Sequence, residues 1–244
     1  MATLPKGHPK LLNAWAFYDW ANSVYSLVIA SAVFPIFYEM IFKQSGNNYV
    51  NFLGWQCKDT AMISFVTAFA FLIVALFSPF LSGIADYIGN KKAFLRFFCY
   101  LGALSCIGLY WFDLDKLFLS YTFYFFGLIG FWSSLVFYNS YLPDIAYPEQ
   151  QDKVSARGFS MGYIGSTLLL IFNLAMVMFP HTFGISGSDE EASMTAMRIS
   201  FITVGVWWIG FSQYTYYYLP KGTRNNVKLS KDFIFKGFRE LKLV

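Results

Sequence analysis

Asn13-Ala14-Trp15-Ala16-Phe17-Tyr18-Asp19-Trp20-Ala21-Asn22-Ser23 opens the first long apolar run of the chain, which continues to about Phe42. The run exceeds the ~20 residues that carry a helix across a bilayer, yet it holds a carboxylate, Asp19. Asp19, Asn22, Ser23 and Ser26 stand at i, i+3, i+4 and i+7, so they share one face of a helix. An ionised group at the bilayer centre costs about 2.5–3.5 kcal/mol on insertion scales, and less near an interface. Two readings follow. Either Asp19 lies at the interface among Trp15, Tyr18 and Trp20, or it faces a cavity where it meets a solute or a proton. Pro35, in the outer third of the run, predicts a kink, because proline leaves a carbonyl without its helical donor.

The rest of the chain repeats the pattern of run one. It is 57% hydrophobic and 13% charged, where soluble domains carry about a quarter charged residues. Further runs cover about Thr60–Ala85, Ala93–Phe112, Leu117–Leu142, Gly158–Phe179 and Met197–Leu219. The chain therefore reads as an all-α polytopic membrane protein with six transmembrane helices. Residues 1–13 form an N-terminal segment, 14–219 the bundle, and 220–244 a basic amphipathic linker. In that linker Phe233, Ile234, Phe238 and Leu241 interleave with Lys231, Lys236, Arg239 and Lys242, which suits a helix lying on a leaflet. Run one is too long for a signal peptide and lacks a small-residue cleavage site, so none is expected.

The cations orient the bundle. Of the 18 Lys and Arg, 14 fall on the side holding the N-terminus, the 2–3 and 4–5 connections and the tail. The positive-inside rule then puts both termini in the cytoplasm. This placement accounts for the net charge of +4, which gives no reason to invoke nucleic acid. Cys57, Cys99 and Cys106 make no disulfide framework, and no His cluster accompanies them, so neither a metal nor a cofactor is expected. The 1–2 and 4–5 connections are both long and lie on opposite sides. That order is the one two inverted three-helix repeats would show.

Two segments on the inner side carry further chemistry. In Ser82-Gly83-Ile84-Ala85-Asp86-Tyr87-Ile88-Gly89-Asn90-Lys91-Lys92, Gly89 suits a helix C-terminus needing positive φ. Lys91 and Lys92 would meet the carbonyl end of run two and the anionic leaflet. Asp86 could pair with a base on a neighbouring helix and hold a gate closed; the plain alternative is ordinary flanking charge. In the second segment, Phe137 to Ala146 and Val154 to Gly165, Pro143 is expected to end run four. Gly158, Gly162, Gly165 and Ser166 form a small face on run five that lets helix backbones approach. Asn139 is an amide that needs a partner if it is buried. Lys116 and Arg198 read as snorkelling anchors at the outer interface.

The first segment resembles the loop signature of the major facilitator superfamily, Gly-x-Leu-Ala-Asp-Arg-x-Gly-Arg-Lys. Ile84, Ala85, Asp86, Gly89 and Lys91 fit it, Gly83 sits one place late, and Ser82, Tyr87 and Asn90 depart from it. With the Tyr-Asp-Trp-Ala-Asn-Ser opening and the second segment, the chain resembles the vacuole-effluxer-like (autophagy-related permease) family of that superfamily. The resemblance implies twelve helices in two halves, of which this chain is the N-terminal one, and alternating access. Fungal members are credited with amino-acid export from the vacuole. The partners so implied are a small solute, the lipid bilayer, and a C-terminal six-helix half or a second copy. The expected setting is a bacterial inner membrane.

These readings converge on a secondary active transporter rather than an enzyme. Runs one and four would line a central cavity, with Asp19, Asn22, Ser23, Ser26 and Asn139 as its polar contacts. Asp19 is the one carboxylate within the expected spans suited to proton coupling. The rival readings are a non-transporting scaffold or sensor, and a membrane-embedded enzyme, which would need a catalytic pair that neither His8 nor His181 supplies.

Overall fold

The computed structural model describes residues 4–52 and 54–221, with the backbone alone over 82–88. Residues 222–244, where the amphipathic linker is expected, lie outside the described residues. Among the described residues there are six long helices: α1 (Pro9–Ser45), α2 (Asp59–Ile88), α3 (Lys91–Trp111), α4 (Leu114–Ile145), α5 (Pro148–Met178) and α6 (Asp189–Tyr218). All six are long and apolar enough to cross a membrane. The protein is an all-α, multi-pass integral membrane protein.

Several helices outrun the apolar segments that reveal them. α5 begins at Pro148, ten residues before the apolar run, and α6 begins at Asp189. Hydropathy sees only the hydrocarbon-facing part of a helix, whereas the ends are set by caps. Pro148 occupies the first turn of α5, where its missing N–H costs nothing, and Gln150 Oε1 accepts from the Tyr147 N–H at 3.1 Å. Ser188 and Glu191 form a capping box on α6. Pro143 does not end α4. It sits in the first turn of the helical segment Leu142–Ile145, which prolongs α4 to the 4–5 turn.

α1 departs from expectation most. Just ahead of Pro35, Tyr25–Val33 is a π-helix, and Pro35 opens the α-helical segment Phe34–Ser45 that follows. The Phe34 N–H donates to Ile29 O, and Ser31 Oγ donates to Ser26 O, both five residues back. The wider turn redistributes the backbone pairing ahead of the proline. The polar 1–2 connection also holds an unforeseen hairpin. β1 (Tyr49–Phe52) pairs antiparallel with β2 (Trp55–Lys58), in a register that sets Tyr49 against Lys58 and Phe52 against Trp55.

The packing has an internal symmetry. α1 lies against α5 and α6, α4 lies against α2 and α3, and α3 meets α6. Exchanging α1–α3 with α4–α6 maps this pattern onto itself, as two inverted three-helix repeats require. The chemistry at the α3–α6 contact repeats in the same sense. Lys92, at the start of α3, donates to Leu219 O at the end of α6 at 2.7 Å. Arg198, near the start of α6, donates to Tyr110 O at 2.7 Å and Phe112 O at 2.6 Å at the end of α3. Each cation thus satisfies terminal carbonyls of the other helix, groups with no intrahelical donor. This corrects both sequence assignments. Lys92 meets the end of α6 rather than of α2, and Arg198 is half-buried over the Phe37 ring, 4.9 Å from its centroid, rather than snorkelling outward.

On the rim opposite the N-terminus, His181 is exposed, with Nε2 3.0 Å from Asp189 Oδ1 and Nδ1 3.0 Å from Ile185 O. The Asp189 hydrogen bond raises its pKa above 6.5, with the Ile185 carbonyl contributing in the same direction. A group raised on folding contributes stability below its unfolded pKa and loses it as pH rises through the folded value. Two outcomes are expected. Arg198→Met should destabilise the protein by at least one charged hydrogen bond, about 1.5–3 kcal/mol; an unchanged thermal midpoint in detergent would count against the capping role. In an NMR titration, His181 should titrate higher in the wild type than in Asp189→Asn, and coincident curves would refute the pairing.

Candidate functional site

The polar stripe of α1 meets the small face of α5 directly. A Cβ at Gly158 would stand 2.6 Å from Asp19 Oδ2, one at Gly162 2.5 Å from Ser23 Oγ, and one at Gly165 2.9 Å from the Trp20 ring. Each distance is too short for a real carbon. The three positions fall at i, i+4 and i+7 of α5, so glycine there is what lets this helix lie over Asp19, Trp20 and Ser23. The expected close packing is present, and its partner is the polar stripe itself.

α4 supplies the third wall. Tyr138 donates its hydroxyl to Asp19 Oδ2 at 3.0 Å. Its ring stacks on Trp15, with centroids 4.3 Å apart and planes 13° from parallel, and Trp15 Nε1 donates to Tyr138 O at 2.9 Å. Trp15 and Asp19, one turn apart on α1, therefore hold one tyrosine at both ends. Asp19 is 8% exposed, and among the described residues no Lys, Arg or His forms an ion pair with it. A buried carboxylate supported by a phenol and not by a cation can exist neutral or charged, depending on what else reaches it.

The other stripe residues are placed unequally. Asn22 is 1% exposed, and neither atom of its amide has a hydrogen-bond partner. Ser23 is half-buried under Gly162, and Ser26 donates to Ser23 O within its own helix at 2.9 Å. Asn139 is exposed, one residue beyond the buried Tyr138. Asp19 and Asn22 are thus enclosed by neighbouring helices rather than lining an open cavity, because the glycines leave no side chain to hold α5 away. Behind them lies a second polar layer. Tyr18 is fully buried with an unpartnered hydroxyl, its ring 5.0 Å from Tyr138 and 6.5 Å from Tyr216.

At the end of the bundle holding the N-terminus, Gly89 has φ of 66°, as its place after α2 demands. Lys91 forms an ion pair with Asp144 at 2.8 Å and also reaches Ser140 O at 3.3 Å, tying α3 to the end of α4. The Asp86 side chain lies outside the described residues. Lys6 donates to Pro143 O at 2.6 Å, and the Gly7 N–H to Ile145 O at 2.8 Å, so the N-terminal segment is stitched to the same turn. Tyr138 and Asp144 went unassigned in the sequence. Both stand in a segment singled out for other residues, and no spacing rule links either to α1 or α3.

Comparison with known proteins bears on this arrangement. A sequence profile described as "Vacuole effluxer Atg22 like" matches residues 7–244. The chain belongs to that family. It is also similar to a Bacillus subtilis (strain 168) protein named "Uncharacterized MFS-type transporter YxiO", 36% identical over 203 residues. The match covers 83% of this chain and 45% of that protein, so the chain spans less than half the relative's length. No solved structure matches the chain. The match over residues 7–244 includes Asp19, Tyr138 and all three glycines.

Gly158→Ala tests the contact. The added carbon should push α5 away from α1, at about 1–3 kcal/mol for overpacking, and raise the rate at which a cysteine at position 22 is alkylated in an Asn22→Cys background. Equal alkylation with glycine and alanine would show that the contact does not close the site.

Proposed function

We propose that this chain supplies one six-helix half of a secondary active transporter that moves a small solute by alternating access, coupled to protons. The observation that carries the reading is Asp19: a carboxylate enclosed by α1, α4 and α5, bonded by Tyr138 and paired with no cation among the described residues. Such a group is costly in a membrane bundle unless a proton or a cationic solute compensates it in part of the cycle. The unsatisfied amide of Asn22, one turn away, offers a donor and an acceptor to the same visitor. The vacuole effluxer family and the MFS-type label of the relative support transport as the activity. An amino acid, with an ammonium for Asp19 and a carboxylate for the amide donor, suits this pair.

The partner half, whether the second part of a longer chain or a second copy, belongs against α2 and α5. In their most apolar windows these helices have 11% and 33% of residues buried, against 44–50% for the other four. The π-helical stretch Tyr25–Val33 gives α1 a segment that can change its pairing just beyond the site. The distribution of cations supports a reading with both termini in the cytoplasm, in a bacterial inner membrane.

The test is proton-driven flux in proteoliposomes holding the full-length protein. Asp19→Asn should abolish accumulation against a gradient while leaving insertion and the detergent melting profile intact. Accumulation at the wild-type rate would take Asp19 out of the mechanism, and no flux in wild type for any amino acid tried would favour a scaffold or sensor.

A further inference from the structure

α5 and α6 line a groove on one face of the bundle, and α1 floors the part nearest the N-terminal end. The groove has two adjoining parts. The part nearest the N-terminal end is a cavity of about 460 Å³ between Arg157 and Asn13 on one side and Tyr214 on the other, floored by Phe17. The second part, about 770 Å³, continues between Phe172 and Leu168 of α5 and Val206 and Trp207 of α6. Gly210 and Phe211 line both, so the parts adjoin there. A Cβ on Gly210 would meet nothing within 4 Å, so this residue opens the groove rather than permitting a helix contact.

The two parts differ in chemistry. The second is walled almost wholly by Leu, Ile, Val and aromatic carbon, with Thr203 the one hydroxyl, which has Asn173 Oδ1 and Ser200 O as acceptors within reach of its single hydrogen. The first ends on an exposed guanidinium. Arg157 donates through Nη1 to Asn13 Oδ1, which orients the fork and leaves its other donors available. Lys153 lies one turn back on α5 and Lys10 one turn back from Asn13 on α1, both exposed; Asp152 is the nearest acid in sequence, also exposed. From Arg157 to Phe172 the helical rise of ~1.5 Å per residue gives about 22 Å. Half of a 40–45 Å bilayer, headgroups included, is about 20–22 Å. The groove therefore runs the depth of one leaflet, cationic at the headgroup level and apolar below it.

We infer that this groove holds an anionic phospholipid from the leaflet on the N-terminal side, its phosphate on Arg157 and one acyl chain along α5 and α6 past Gly210. Guanidinium groups favour phosphate because the fork matches two oxygens at once, and basic pockets between helices on that side are suited to anionic headgroups. An uncharged or zwitterionic lipid would fill the apolar part without using Arg157. The site is separate from Asp19, which lines neither part.

Native mass spectrometry of the full-length protein in an uncharged detergent, with added phosphatidylglycerol, phosphatidylcholine or inorganic phosphate, tests this. Phosphatidylglycerol should be retained at least tenfold more than phosphatidylcholine. Arg157→Gln should abolish the preference while leaving total lipid retained similar, and Gly210→Phe should reduce retention of both lipids. A detergent melting profile checks that each variant is folded, and Arg157→Lys serves where Gln is not, retaining part of the preference. Equal retention of the two lipids by wild type would overturn the proposal, as would a preference untouched by both Arg157→Gln and Gly210→Phe. Displacement of phosphatidylglycerol by millimolar phosphate would show a free-anion site instead.

Discussion

α5 approaches α1 with no side chain between them at three successive positions, and the placement of Asp19 depends on that contact. Gly158, Gly162 and Gly165 each leave the space that a single methyl would take from Asp19, Ser23 or Trp20. Burial and reactivity are set together here. On the close approach of α5 depends the exclusion of water from the carboxylate, while Tyr138 of α4, its ring stacked on Trp15, donates to it. Were α5 further out, lipid or solvent would reach the stripe and Asp19 would be an ordinary interfacial anion.

A second constraint acts at the helix ends. Backbone carbonyls at a helix terminus lack donors, and a low-dielectric surrounding makes that expensive. The protein answers with cations drawn from elsewhere in the chain: Arg198 at the end of α3, Lys92 at the end of α6, and Lys6 and Lys91 at the end of α4. Charges that look like topology markers in the sequence are thereby also structural donors. The two roles agree, since a lysine that must stay near the interface to keep its charge is well placed to meet a helix terminus.

The number of helices and their approximate centres were legible because hydrophobic length alone decides them. The stripe on α1 and the small face on α5 were legible as separate patterns, each a matter of 3.6-residue spacing. Their meeting was not, since nothing local to Asp19 specifies that Gly158 lies over it. The same reason hid Tyr138: its role follows from the crossing of α4 over α1, a property of the whole bundle. Pro35 did signal disturbed backbone pairing, but a proline alone does not specify a widened turn; the turn here includes Ser31 reaching back to Ser26. Asn139 illustrates the opposite error. An amide in an apolar run invites a buried role, yet one step of 100° along the helix turns it to the exposed side while Tyr138 faces in.

The reciprocal caps between α3 and α6 also order the biosynthesis of the fold. When α3 leaves the ribosome, the carbonyls of Tyr110 and Phe112 have no Arg198, which comes 88 and 86 residues later in the chain. The start of α3 likewise carries Lys92 without Leu219, 127 residues on. Until α6 is in place, the first repeat must leave these groups near the headgroups, where water can serve them. Arrival of the last helix withdraws both ends at once. The six-helix unit is therefore closed by α6, and a nascent chain stopped before α6 would lack the donors and acceptors that meet α3 at either end.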